Sequence, residues 1–220
     1  MNIARAIDHT LLKPDATREN ILKLCAEARE FGFFSVCVNS SWVAAAAGAL
    51  EGSGVVVAAV TGFPLGAMDS KAKAFETRRA VECGAGEIDT VLAVGHLKSG
   101  EEAYVLDDLC GVVEAAGSAR VKVIFETCLL NEEEKLAACR ISCEAGAAFV
   151  KTSTGFSTGG ATITDVRLMA AAVSGKCLVK ASGGIRDAAV AIAMLEAGAS
   201  RLGTSNGIAI VKGSPAGQGY

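Results

Sequence analysis

Hydrophobic and polar positions follow one repeated pattern along this chain. A short apolar or β-branched run ends in polar residues, and a stretch with apolar residues at helical spacing comes next. Strands are predicted over 6–12, 34–38, 55–60, 87–92 and 121–126, over apolar runs that end in Lys151 and Lys180, and over 200–204. Between them, helices are predicted from Thr17 to Gly32, from Ser40 or Ser41 to Leu50, and over 70–83, 99–116, 131–144, 163–173 and 187–197. Gly84 and Gly86 stop the third helix, and a last short one begins at Ser205. Ile21, Leu24, Cys25 and Ala28 show the helical period, with Thr17 as the cap before them. Eight strand–helix units of about 27 residues, with no linker between them, predict a closed (β/α)8 TIM barrel over 1–212 and a flexible tail over 213–220. An open doubly wound sheet would carry a Gly-rich turn after its first strand, and Thr10-Leu11-Leu12-Lys13-Pro14 has no such turn.

Composition narrows the function. Hydrophobic residues make up 51% and aromatics only 5%, so Ala, Val, Leu and Ile supply a tightly packed core. The net charge of −3 comes with no basic stripe, which argues against nucleic acid as a partner. No apolar run approaches the roughly 18 residues of a membrane span, and Asp8 and His9 interrupt any signal-like segment. A cytoplasmic protein is expected. The 8 cysteines show no CxxC spacing and there are 2 histidines, His9 and His96, so neither a metal nor a disulfide is expected.

In a barrel of this kind chemistry sits where the strands end. Two stretches match there: Phe149-Val150-Lys151-Thr152-Ser153-Thr154-Gly155 and Leu178-Val179-Lys180-Ala181-Ser182-Gly183-Gly184. A lysine at the end of an apolar strand loses solvation, which favours its neutral, nucleophilic form, and a second ammonium nearby adds to the effect. The pair therefore points to amine chemistry on a carbonyl. The residues leave open which lysine attacks, and each could instead pair with an internal carboxylate. Asp89, facing the same way as Glu87, could hold a lysine cationic or move protons through a water. Lys122 shares a face with Glu126 and is expected as an internal, structural cation. Gly155, Gly183, Gly184 and the Ser205–Asn206 turn lie in the late loops where barrels hold phosphate with backbone N–H groups. Cys37, at the end of the second strand, is expected as a small buried residue.

These residues also carry a resemblance. Ile7-Asp8-His9-Thr10-Leu11-Leu12-Lys13-Pro14, Val60-Thr61-Gly62-Phe63-Pro64, Lys122-Val123-Ile124-Phe125-Glu126-Thr127 and the two lysine stretches, the first running on to Phe156 and the second to Arg186, resemble the deoxyribose-phosphate aldolase family from first strand to last helix. The resemblance implies reversible cleavage of 2-deoxy-D-ribose 5-phosphate to glyceraldehyde 3-phosphate and acetaldehyde, with no cofactor and no metal. It implies that Lys151 forms the Schiff base, that Lys180 lowers its pKa and that Asp89 relays protons. It puts phosphate contacts on Gly155, Gly183, Gly184 and Ser205, with Asn206 standing where some members carry a second serine. A C-terminal tyrosine, here Tyr220, assists proton transfer in some members, and a homodimer or larger homo-oligomer is the family expectation.

Overall fold

The computed structural model describes residues 2–214. Strands β1 (Ile7–Leu11), β2 (Ser35–Asn39), β3 (Val56–Thr61), β4 (Glu87–Val91), β5 (Arg120–Ile124), β6 (Phe149–Lys151), β7 (Leu178–Ser182) and β8 (Arg201–Thr204) are parallel and neighbour one another in chain order. Strand β8 closes on β1 through the register Asp8↔Gly203, so the predicted eight-stranded barrel is formed. Outside it lie α1 (Arg18–Phe31), α2 (Val43–Leu50), α3 (Ser70–Glu82), α4 (Val94–Lys98), α5 (Glu102–Ala116), α6 (Glu132–Glu144), α7 (Ile163–Val173), α8 (Ala188–Glu196) and α9 (Gly207–Lys212).

Local chemistry starts and stops these elements. The Thr17 side chain accepts from the Asn20 N–H while the Asn20 side chain accepts from the Thr17 N–H, which satisfies two orphan donors at the start of α1. Asn131 and Glu134 do the same for α6. Gly32 ends α1 at φ 65°, a left-handed conformation that glycine adopts without a Cβ penalty.

Strand alternation then sorts the core into two. One set of strand residues, including Val36, Val38, Ala59, Ile88, Val123, Val150, Ala181 and Leu202, faces the helices and builds the main apolar cluster. The other set faces the barrel axis. There Leu12, Cys37, Ala58 and Val60 form a small separate apolar cluster, with Phe63 against it. Most of the other inward positions are polar or charged, with Phe149 between Lys122 and Arg201, and they build the site described below.

Several boundaries differ from the pattern-based expectation, three of them for a visible reason. The helix expected over 99–116 is formed as α5 but begins at Glu102, and the short α4, which the pattern did not predict, precedes it, with Gly100 turning the chain at φ 75° between them. Strand β5 stops at Ile124, since Glu126 leaves the sheet at φ 55°. The last helix begins at Gly207, two residues late, because the Asn206 N–H is taken by the Thr204 hydroxyl at 2.9 Å. Residues 215–220 of the expected tail, with Tyr220, lie outside the described residues.

Candidate active site

Lys151 on β6 and Lys180 on β7 are direct register partners, so alternation sends both side chains to the barrel axis. Asp89 on β4 reaches them across the interior. Its Oδ2 accepts from Lys151 Nζ at 2.7 Å and from Lys180 Nζ at 2.7 Å. Its Oδ1 accepts from Lys122 Nζ, also at 2.7 Å. Lys122 turns its other side to Glu87, at 2.6 Å, and not to Glu126 as their shared face predicts. Glu126 has swung out of the strand, where it accepts from the Thr154 hydroxyl and backbone N–H and so anchors the loop after β6.

Asp8 completes the cluster. It accepts from Lys180 through Oδ2, and through Oδ1 from Arg201 at 2.8 Å and Ser35 at 2.7 Å. Arg201 also reaches Glu87, at 3.0 Å. Neither Asp8 nor Arg201 was assigned a role from sequence. The signal available was parity, since both sit at inward positions of strands that meet only when the barrel closes.

The buried cluster thus holds three carboxylates, Asp8, Glu87 and Asp89, against four basic groups, Lys122, Lys151, Lys180 and Arg201. Burying a net charge is costly, so the balance favours one neutral amine. Lys180, Lys122 and Arg201 each touch two carboxylates at hydrogen-bond distance, whereas Lys151 touches only Asp89. Lys151 is therefore the group that loses its proton most easily. Burial lowers its pKa, and the Lys180 ammonium adds to this against the pull of Asp89. Lys180 goes the other way: burial alone would lower its pKa, but Asp8 and Asp89 outweigh that and hold it cationic. Burial would raise the two aspartates as well, yet the surrounding cations keep both well below the usual carboxylate range.

A cavity of about 380 Å³ opens above this cluster at the C-terminal ends of the strands. Lys151 lines it, whereas Lys180, fully buried, does not. Gly155, Gly183, Gly184, Ser205 and Asn206 line it as well, all brought together from the loops after β6, β7 and β8. Mutual bonds between Thr152 and Ser182, each 3.0 Å, tie the first two loops together. Gly183, at φ 87°, leaves no room for a Cβ, which would fall 3.0 Å from Gly160 Cα. Lys13 and Arg186 also line the cavity and were not among the predicted residues, although each lies within four residues of a strand end. Cys37 is fully buried, and burial pushes its thiol up to about 11, consistent with a small packing residue. Among the described residues no three His, Cys, Asp or Glu side chains group as a metal site, and no helix is long and apolar enough to cross a membrane.

A family model described as "DeoC/LacD family aldolase" matches residues 2–213. The chain belongs to this aldolase family. A deoxyribose-phosphate aldolase of Brevibacillus brevis is 59% identical over 221 residues, covering all of both chains. One from a Geobacillus species is 57% identical over 220 residues, covering 100% of this chain and 99% of the relative. Among solved structures, the tetrameric deoxyribose phosphate aldolase of Aeropyrum pernix superposes with a TM-score of 0.89 at 35% identity, covering 96% of this chain and 89% of that one. For an aldolase, the pairing of one accessible, deprotonation-prone amine with a locked ammonium is what imine chemistry needs. Closure of the barrel assembles that pairing from six strands, β1 and β4 to β8.

Proposed function

We propose that this aldolase reversibly cleaves 2-deoxy-D-ribose 5-phosphate to glyceraldehyde 3-phosphate and acetaldehyde through an imine on Lys151. The single observation that carries the choice of nucleophile is that Lys151 alone among the four buried basic groups both borders the cavity and has one carboxylate partner. The neutral amine of Lys151 adds to the aldehyde carbon of the open-chain sugar, and loss of water leaves a protonated imine. The C2–C3 bond then breaks, its electron pair passes to C2 to form an enamine, and the C3 hydroxyl loses its proton as the new carbonyl forms. Protonation of C2 and hydrolysis release acetaldehyde and restore the amine. Asp89, bridging Lys151 and Lys180, is positioned to relay these protons with water while Lys180 stays charged.

The phosphate lies in the cavity against the backbone of Gly155, Gly183 and Gly184 and the hydroxyl of Ser205, with Lys13 and Arg186 supplying positive charge. The tetrameric neighbour supports a homo-oligomer for this chain, and the name of its full-length relatives supports deoxyribose phosphate as its substrate. Tyr220 is retained as an aid to proton transfer, and Tyr220→Phe tests it by its effect on kcat alone. The decisive experiment is borohydride reduction in the presence of acetaldehyde, followed by peptide mapping. A two-carbon adduct is expected on Lys151, and none should form in Lys151→Leu. An adduct on Lys180 reverses the two roles, and no adduct on a folded, active protein removes the imine.

A further inference from the structure

At the end of the barrel opposite the cavity, two thiols meet. Cys143 lies in the last turn of α6, and Cys177 immediately precedes β7. Their sulfurs are 2.8 Å apart. A disulfide requires about 2.05 Å, so less than about 1 Å of closure separates the two states. The approach is set by the backbone. Cys139, Ile141 and Ser142 are buried around Cys143 and seat the end of α6 against the barrel. Cys177 donates to Ala147 O at 3.2 Å, and the next residue, Leu178, donates to Ala148 O at 2.9 Å. Exposure is asymmetric: Cys143 is partly open to solvent, whereas Cys177 is buried.

We propose that Cys143 and Cys177 form a reversible dithiol–disulfide site, oxidised by hydrogen peroxide, that staples the chain from α6 to β7 and leaves the aldolase chemistry intact. The half-exposed Cys143 reacts first. Its thiolate attacks one peroxide oxygen, the O–O bond breaks, and the departing oxygen leaves as water, so that Cys143 becomes a sulfenic acid. Cys177 then attacks that sulfur, the S–O bond breaks, and hydroxide leaves with the Cys177 proton as a second water. Two thiols are oxidised by two electrons and one peroxide is reduced to two waters. Burial and the neighbouring Cys143 raise the Cys177 pKa, so the proton stays on the resolving thiol until it is needed. Burial likewise keeps Cys25, Cys37 and Cys139 protonated, with pKa values pushed up to about 11 or 12.

The staple would join positions 34 residues apart, a segment that contains β6 with Lys151 and all of α7. A loop of that size restricts the unfolded chain substantially, and the expected gain in apparent Tm is on the order of 10 °C. The test is stepwise treatment of the full chain with hydrogen peroxide, read by intact mass, non-reducing peptide mapping, thermal melting and aldol cleavage rate. A loss of about 2 Da is expected, with Cys143 and Cys177 peptides linked, a raised Tm, an unchanged rate, and reversal of all changes by dithiothreitol. Cys143→Ser should show neither the linked peptide nor the raised Tm. Sulfinic acid on Cys143 without a linked peptide, or linkage of Cys143 to Cys139, overturns the site. A linked product with an unchanged or lower Tm, or with lost activity, overturns the proposed staple.

Discussion

Replacing Lys180 by Met tests the electrostatic core of the mechanism, because it removes one charge and leaves a side chain of similar reach. Lys151 Nζ and Lys180 Nζ each lie 2.7 Å from the same Asp89 oxygen, so they are separated by at most twice that distance, about 5.4 Å. At an effective dielectric constant of about 20, two unit charges at that separation repel by about 3 kcal/mol. Each 1.4 kcal/mol is a factor of about ten in equilibrium, so removing Lys180 should cut the neutral fraction of Lys151 by roughly two orders of magnitude. The fold should survive: with Lys151 protonated, the cluster becomes three carboxylates against Lys122, Lys151 and Arg201. Asp8 keeps Arg201 and Ser35, and Asp89 keeps two lysines. The assay is the initial rate of 2-deoxyribose 5-phosphate cleavage as a function of pH, alongside the rate of borohydride trapping with acetaldehyde. Both should fall roughly 100-fold at pH 7 and recover as pH rises and Lys151 deprotonates without help. A folded Lys180→Met variant within about threefold of the parent at pH 7, or one whose loss is the same at every pH, would refute the reasoning.

Other parts of the structure give further expectations. Asp8 and Asp89 have folded-state pKa values below the unfolded value of about 3.9, so the stability they contribute is present above that pH and is lost as pH falls through the folded values. Thermal melts should therefore change little between about pH 5 and 8 on their account and decline below about pH 4, with a shallower decline in Asp8→Asn. A Cβ on Gly203 would sit 2.9 Å from Ser182 Cβ and 3.0 Å from Lys180 Cε, so Gly203→Ala should push Lys180 off its aspartates and lower kcat by more than about tenfold; an unchanged kcat would show the contact to be slack. Lys73 is fully buried and donates to Asp108 at 2.5 Å and to Val91 O at 3.0 Å, tying α3 and α5 to the end of β4. Asp108→Ala leaves that ammonium without its carboxylate and should cost about 3–5 kcal/mol, a drop in Tm on the order of 10 °C by calorimetry. Arg186→Ala should raise KM for the phosphorylated sugar while leaving cleavage of unphosphorylated 2-deoxyribose unchanged; equal effects on both would remove Arg186 from phosphate binding.

By itself the sequence determined the eight strand–helix units, their order and the closed barrel, because periodicity and capping are local properties. Thr17 with Asn20, Asn131 with Glu134, and Gly32 each act within a few residues of the boundary they set. Strand parity was local too, and it was enough to send Lys151, Lys180 and Asp89 to one interior. Boundaries that depend on distant partners were not legible: Glu126 leaves β5 for Thr154, 28 residues away, and no pattern around it says so. Only the tertiary structure separated the two lysines electrostatically. The two lysine stretches look alike in sequence, and the difference between them is Asp8, 172 residues from Lys180 and brought to it when β8 closes on β1. A pKa is set by the sum of charges around a group in space, and that sum exists only once the barrel has closed.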